Sequence, residues 1–579
     1  MSVSTGDVIS RVYGNFRGAD FRGEEINLVR SPDCLNVWKD YTKTESIRTR
    51  PVMKLQTAFS DTIYGIYFYK GVQLVHSGTK LYKVVNGAKT EIKSGLNETF
   101  SNGFVFEDIW YFKDGKNYWQ YDGTTIKDVE GKIPTTSIGR KANGGGTIYE
   151  DVNMLSDYRV NTFLGDGKSK TYLLDAKDID KDFWPVVEIN DKRMNVEIYP
   201  ATMPEWDVLV HCDTGTIELK PDLALATVPK TDGKDNISVK FKKKIPEYRE
   251  AILKCKLLQV FDNRVFVSGN EDYPNTVWHC SLNDPTYFSD LDYYREGMDS
   301  AQIKGIVAGN NALWVFREPS EANTNVFYHT PSIDDEYGKV YPSSHSSVTI
   351  GCVGKAINFN DDIVFFSERG MEGISGDITT EQVAAHRSSL VDRKMIASPN
   401  YKDMILEEWE GYLFVFIGNK VFLADSRTAF TNENHIEYEW FYWELEKEIV
   451  CARVYDGVLY VGTADGVYAF SDPKTKAYYT GDVESYWVTP KDKFKAPQKL
   501  KTTNKRGCVV EATGDISLYA KVEDSDFELI GTYENIEDYF VSRIKRKKWK
   551  DIQLKFYSNT RFSLETATLE CFIGGYIKR

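Results

Sequence analysis

The sequence predicts an all-β protein: a six- or seven-bladed β-propeller carrying an inserted β-sandwich and a C-terminal β-sandwich or jelly-roll-like domain. Two observations lead there. Aromatic residues make up 14% of the chain, with 36 Tyr, 31 Phe and 12 Trp, a bias that suits pleated, half-buried strands. The second is a recurring phrase of apolar run, turn residue, aromatic and β-branched run, and turn, at about 45-residue spacing where copies adjoin. Its clearest copy, Asn263 to Asp290, reads as strands Arg264–Ser268 and Thr276–Ser281 with turn chemistry at Gly269, Asn270, Pro274, Asn275 and Asp284-Pro285.

In order, the copies are 63–85, 104–126, 257–288, 303–329, 356–374, 405–424 and 451–470. Their turns fall at Lys70-Gly71, Glu107-Asp108, Gly309-Asn310-Asn311, Asn360-Asp361-Asp362, Glu410-Gly411 and Asp456-Gly457, among others. A single small sheet cannot bury both faces, so copies stack until a ring closes. Two stacked sandwiches with a similar hairpin rhythm are the competing reading.

Around this array the chain divides into an extended N-terminal arm (1–55), a first propeller part (56–139), an inserted domain (140–250), a second propeller part (251–480) and a C-terminal domain (485–579). The arm interleaves Arg17, Arg22, Arg30, Arg48 and Arg50 with Asn15, Asn27 and Asn36 and looks poor in core residues. It is expected to lie as a strap on its own domain or as an arm on a neighbouring subunit. The insert opens at Gly144-Gly145-Gly146, read as a flexible hinge, and continues in short alternating runs that predict a small antiparallel sandwich. The last part alternates again and holds the basic run Arg543 to Lys550, read as a protected strand edge or a patch for an acidic neighbour or DNA.

A formal charge of 72 minus 85, or −13, argues against a surface that grips nucleic acid along its length, while leaving room for an acidic channel past which DNA slides. The eight cysteines are scattered without a C-x-x-C pair, so free buried thiols are expected. No apolar run approaches a membrane span.

No constellation announces catalysis. Gly165-Asp166-Gly167-Lys168-Ser169 resembles a phosphate loop, but position 162 is Thr and a strand-like Lys-Thr-Tyr-Leu-Leu follows, so a hairpin turn is expected. Asp175, Asp178, Asp180 and Asp182 lack the glycine and terminal glutamate of a calcium loop and read as a solvated loop. The seven histidines form no H-x-x-x-H pair, and no G-x-S-x-G elbow is present. No catalytic, cofactor-binding or metal-ligating residue is put forward, no cofactor is expected, and the protein reads as a non-enzyme.

The lead N-F-R-G-A-D through R-T-R-P, the phrase RVFVSGNEDYPNTVWHCSLNDPTYF and the ending F-S-L-E-T-A-T-L-E-C-F-I-G-G-Y resemble structural proteins of tailed bacteriophages. The likeness is to the propeller-containing tail nozzle, or packaged-DNA stabilisation, proteins of short-tailed phages. That resemblance implies a virion protein assembled in the host cytoplasm, a homo-oligomeric ring (a hexamer) below portal and adaptor, and transient contact with viral DNA. The insert is extra to the simplest nozzle and leaves open a contact with tail fibres or host surface, as a receptor- or glycan-binding module.

Overall fold

The computed structural model describes residues 6–577 except 24–25, 44–45, 202–204, 336–337, 376–381, 433–434 and 546. Strands hold 52% of the chain and helices 3%, which makes the protein all-β. It divides into two compact units: residues 1–100, 309–331 and 344–579, and residues 101–308 with 332–343.

In the first unit, sheet one is a four-stranded meander of Ile63–Tyr69, Val72–Ser77, Lys80–Val85 and Ala88–Ser94. Sheet five comprises Ala356–Phe359, Asp362–Ser367, Gly370–Ser375 and Val383–His386, and sheet six Ile405–Trp409, Tyr412–Ile417, Lys420–Asn432 and His435–Glu444. Sheet seven has only three consecutive strands, Cys451–Tyr455, Val458–Gly462 and Gly466–Ala469. Its fourth is Lys54–Ala58, from before sheet one, paired from Gly466 opposite Ala58 to Ala469 opposite Lys54.

These sheets pack in series. Sheet five meets sheet six at Asp362, onto which the buried Arg387 guanidinium of the sheet-five side forks (2.8 and 3.2 Å) and to which Tyr438 of sheet six donates (2.8 Å). First strands then lie side by side. The Val454 N–H donates to Glu407 Oε1 (3.0 Å), joining six to seven. Phe68 stacks on Tyr455 at 3.9 Å, joining seven to one.

The second unit repeats the plan in sheet two (Asn102–Phe106, Ile109–Lys113, Tyr118–Tyr121, Ile126–Asp128) and sheet three (Leu257–Phe261, Arg264–Ser268, Thr276–His279, Tyr293–Arg295). Tyr111, Tyr118, Val265, Val267 and Trp278 share one core between them. The run Ile303–Gly309, Ala312–Arg317 and Val326–His329 carries the same rhythm across the division between units, its last two strands paired from Leu313 opposite His329 to Phe316 opposite Val326.

One local device recurs in all seven copies. The first and second strands are joined by two residues that both have positive φ: Lys70-Gly71, Glu107-Asp108, Asp262-Asn263, Asn310-Asn311, Asn360-Asp361, Glu410-Gly411 and Asp456-Gly457. This turn matches the right-handed twist of its flanking strands, and Gly, Asn and Asp tolerate it best.

The insert differs from expectation in three ways. Its first strand, Thr135–Arg140, begins before residue 140. Gly144 to Gly146 form no hinge: they turn the chain tightly between that strand and Thr147–Ile148, all three at positive φ. Its six- and four-stranded sheets also include parallel pairs, Thr135–Arg140 with Tyr158–Phe163 and Val196–Ile198 with Val208–His211. Alternation fixes which side chains turn inward but carries no information on strand direction. The two sheets enclose a shared core that includes Phe163, Tyr172, Val187, Val210, Ile217, Val239 and Phe241.

The lead is not poor in core residues. Val8–Tyr13 pairs along Phe562–Tyr576, and the hairpin Val37–Asp40 with Ser46–Thr49 joins the same strand. Cys34–Leu35 pairs with Ser485–Val488. With the C-terminal strands these make one eleven-stranded sheet, so residues 485–579 share their sheet with the lead instead of building one alone. Between its strands the lead lies on sheet six. The Ala19 N–H donates to Trp440 O (2.6 Å), the Asn36 N–H to Tyr442 O (3.0 Å) and Trp443 Nε1 to Val37 O (3.1 Å). Tyr13, Phe16, Val37, Trp38 and Ile47 are buried in the same large core as sheet six.

Candidate functional site

A group of titratable side chains sits at the end of sheet five. Glu372 and His386 are register partners on neighbouring antiparallel strands, which puts their side chains on one face. Asp392 opens the short helix Asp392–Met395 just beyond. His386 Nδ1 lies 3.1 Å from Glu372 Oε1 and Nε2 lies 2.5 Å from Asp392 Oδ2. The ring thus has a carboxylate at each nitrogen. Burial pulls its pKa down, but the bonds to Asp392 and Glu372 outweigh this and hold it up at about 9. At neutral pH it is an imidazolium. Glu372 is fully buried; burial alone would raise its carboxyl, yet the His386 bond and the nearby Arg369 keep it below the usual range.

Although serine, histidine and aspartate meet here, they are wired against nucleophilic catalysis. A triad needs the hydroxyl on the imidazole, so that the ring can take its proton. Ser388 Oγ instead donates to Asp392 Oδ1 (2.5 Å) and accepts the Met371 N–H (2.7 Å), and neither ring nitrogen is left as a base. What the group can do is hold shape. It ties the turn 388–395 to sheet five, and the lead docks on that turn: the Phe21 N–H donates to Leu390 O (2.7 Å) and Lys394 lies over the rings of Phe21 and Tyr442.

A pH signature follows. Because His386 is raised from 6.5 to about 9 on folding, its contribution is complete below pH 6.5 and is lost as pH climbs through 9. At ~1.4 kcal/mol per unit, discounted for the ring's partial exposure, the loss is on the order of 2–3 kcal/mol. Thermal melts of the native chain should fall from pH 7 to 9.5, and His386→Gln should flatten that slope; parallel curves would refute the assignment.

Glu407, pushed up to about 7 by burial, accepts the Val454 N–H beside the Cys451 thiol, itself raised to about 12 by burial. In a 390 Å³ cleft lined by Glu247, Glu250, Lys254, Asp272 and Tyr273, Lys254 pairs with Asp272 (2.7 Å) and Tyr273 donates to Glu247 (3.3 Å).

The phosphate-loop lookalike is a turn, with Asp166 accepting from the N–H groups of Lys168 and Ser169 and from the Ser169 hydroxyl. It is not a hairpin, because Tyr158–Phe163 and Thr171–Leu173 belong to different sheets. The four aspartates have separate partners: Asp175 accepts from Thr136, Asp180 from the Lys244 N–H and Asp182 from Lys242, while Asp178 accepts from Lys243 through its backbone carbonyl. No cluster able to hold a metal occurs among the described residues. All eight cysteines are free and buried. The His386 group had no signal in sequence, since its members are held together by strand register and not by spacing.

No family model matches the chain, and no curated protein matches it. Among solved structures, BamB from Moraxella catarrhalis is 10% identical, covering 80% of this chain and 96% of that one at a TM-score of 0.33. The N-terminal domain of Nup159 is 8% identical over 72% and 94%, also at 0.33. An exo-β-1,3-galactanase from Phanerochaete chrysosporium is 8% identical over 54% and 95%, at 0.23. At these scores the likenesses carry no argument about fold or chemistry; the chain's own pairings define its membership of the all-β class.

Proposed function

We propose that the seven copies are blades of one β-propeller and that the protein is a structural component of a bacteriophage tail. In this reading it is a ring-forming nozzle that ends the DNA channel, retains the packaged genome and lets it pass on ejection. The observation that carries the reading is how the chain's two ends are locked. Lys54–Ala58 completes sheet seven, and Val8–Tyr13 and Ser46–Thr49 are laddered onto Phe562–Tyr576. A part that holds DNA under pressure must resist being pulled open. A fold in which Val8–Tyr13 is hydrogen-bonded along Phe562–Tyr576 resists the peeling of either strand. The resemblance to nozzle proteins supports the same reading, as does a candidate site wired for shape and not for turnover.

The test is negative-stain imaging and mass measurement of the full chain, alone and mixed with portal and adaptor from the same genome. Rings at the end of the portal assembly are expected; a chain that ignores that assembly would overturn the reading. A receptor- or glycan-binding role is the second reading, favoured by Trp184 and Tyr199, which stand 50% and 55% exposed on the insert. It expects glycan-array binding by the full chain that Trp184→Ala with Tyr199→Ala abolishes.

A further inference from the structure

Strand Tyr539–Ser542 lies against Lys499–Val522, paired from Cys508 opposite Ser542 to Glu511 opposite Tyr539. Among the described residues no strand covers its other edge. Phe540 and Ser542 turn inward, Phe540 stacking on Tyr533 at 4.0 Å, while Tyr539 and Val541 face out, 61% and 48% exposed. Charge is segregated around this strand. Before it come Glu534, Glu537 and Asp538; after it come Arg543, Lys545, Lys548 and Lys550, all exposed. None of these seven makes an ion pair among the described residues. The basic side is held on an anchored backbone: Ile544 and Trp549 are buried, Trp549 packs on Phe494 at 5.5 Å, and the Lys501 ammonium donates to Lys550 O (2.6 Å).

We propose that this edge pairs, antiparallel, with the same edge of a second copy of the chain about a twofold axis. Uncovered edges offer free N–H and C=O groups to another strand, and a run of like charge, Lys above all, is one device that blocks such pairing. Here the signs are split. Parallel pairing would set acid on acid and base on base. Antiparallel pairing sets Glu534, Glu537 and Asp538 of each copy against Arg543, Lys545, Lys548 and Lys550 of the other, with Tyr539 and Val541 against their equivalents between. That self-complementarity is what a twofold contact requires. Each copy carries −13, a long-range repulsion that ~0.1 M salt screens while leaving close pairs largely intact. The contact stands apart from the nozzle reading, whose ring needs head-to-tail contacts, and its failure leaves that reading untouched.

The experiment is sedimentation analysis of the full chain and charge-reversed variants. The native chain should form pairs at 0.1 M salt that weaken at least tenfold at 0.5 M. Lys545→Glu with Lys548→Glu, and separately Glu534→Lys with Glu537→Lys, should each be monomeric with unchanged circular dichroism and melting. Mixing the two variants should restore a one-to-one pair, and all four changes in one chain should restore self-pairing. A native chain that stays monomeric at its highest soluble concentration, or variants that pair as well as it does, would overturn the proposal. So would duplex DNA binding that is lost in Lys545→Glu with Lys548→Glu while the mass never changes, since the strip would then be a nucleic-acid contact.

Discussion

Removing residues through Ala58 is expected to abolish cooperative folding of the first unit, not to trim a tail. The deletion takes the fourth strand from sheet seven, leaving Gly466–Ala469 as an uncovered edge. It also strips Val8–Tyr13, Val37–Asp40 and Ser46–Thr49 from the eleven-stranded sheet. Tyr13, Phe16, Val37, Trp38 and Ile47 leave the core with them. Each large apolar side chain contributes ~1.5–3 kcal/mol on burial, so the sum exceeds the ~5–15 kcal/mol by which a domain is usually stable once the lost ladders are counted. Soluble yield and a thermal melt check this. A soluble product melting like the full chain would mean that the lead is a detachable strap.

The second large effect is expected at one residue within that lead. Trp38 lies within 5.3–5.9 Å of Trp409, Tyr412, Trp443 and Tyr478, and Arg48 sits 5.5 Å above its ring. Only 2% of it is exposed. Trp38→Ala leaves a cavity ringed by rigid aromatics that cannot collapse into it, so the cost should be at the upper end of ~3–5 kcal/mol. The indole N–H, however, is buried without a hydrogen-bond partner. Trp38→Phe removes that unsatisfied donor while keeping most of the ring, and should cost ~1–2 kcal/mol less than its lost volume alone would suggest. Denaturant titration of the three proteins checks both numbers. Equal losses for Ala and Phe would show that the indole's polar edge, and not its bulk, is what the site needs.

These two effects fall where the sequence was hardest to read, and the reason is physical. The copies were legible because each carries its own local signal: an apolar run on either side of two residues that must take positive φ. Asn360-Asp361 and Asp456-Gly457 announce such a turn by chemistry alone; Glu107 does so less well, since a glutamate gains nothing from that conformation. Strand pairing across the whole chain has no such signal. Nothing near Val8 or Lys54 points to Phe572 or Ala469, and although burial alternates along Val8–Tyr13, alternation names no partner strand. The His386 group fails for the same reason: its carboxylates are chosen by register and by a helix start, both of which depend on the folded sheet. Spacing likewise gives no sign that Ser388, His386 and Asp392 meet; the folded sheet and the turn after it bring them together.

The shared strand of sheet seven also sets a clock on biosynthesis. Lys54–Ala58 leaves the ribosome long before its partner Gly466–Ala469, and at ~5–20 residues per second it waits roughly 20–80 s for it. Throughout that interval the strand is an uncovered edge on a nascent chain, in reach of neighbouring nascent copies as well as of its own future partner. Crowding several ribosomes on one message would therefore favour strand exchange between chains, and slow, well-spaced translation, or a chaperone that covers residues 54–58, would favour pairing within one chain.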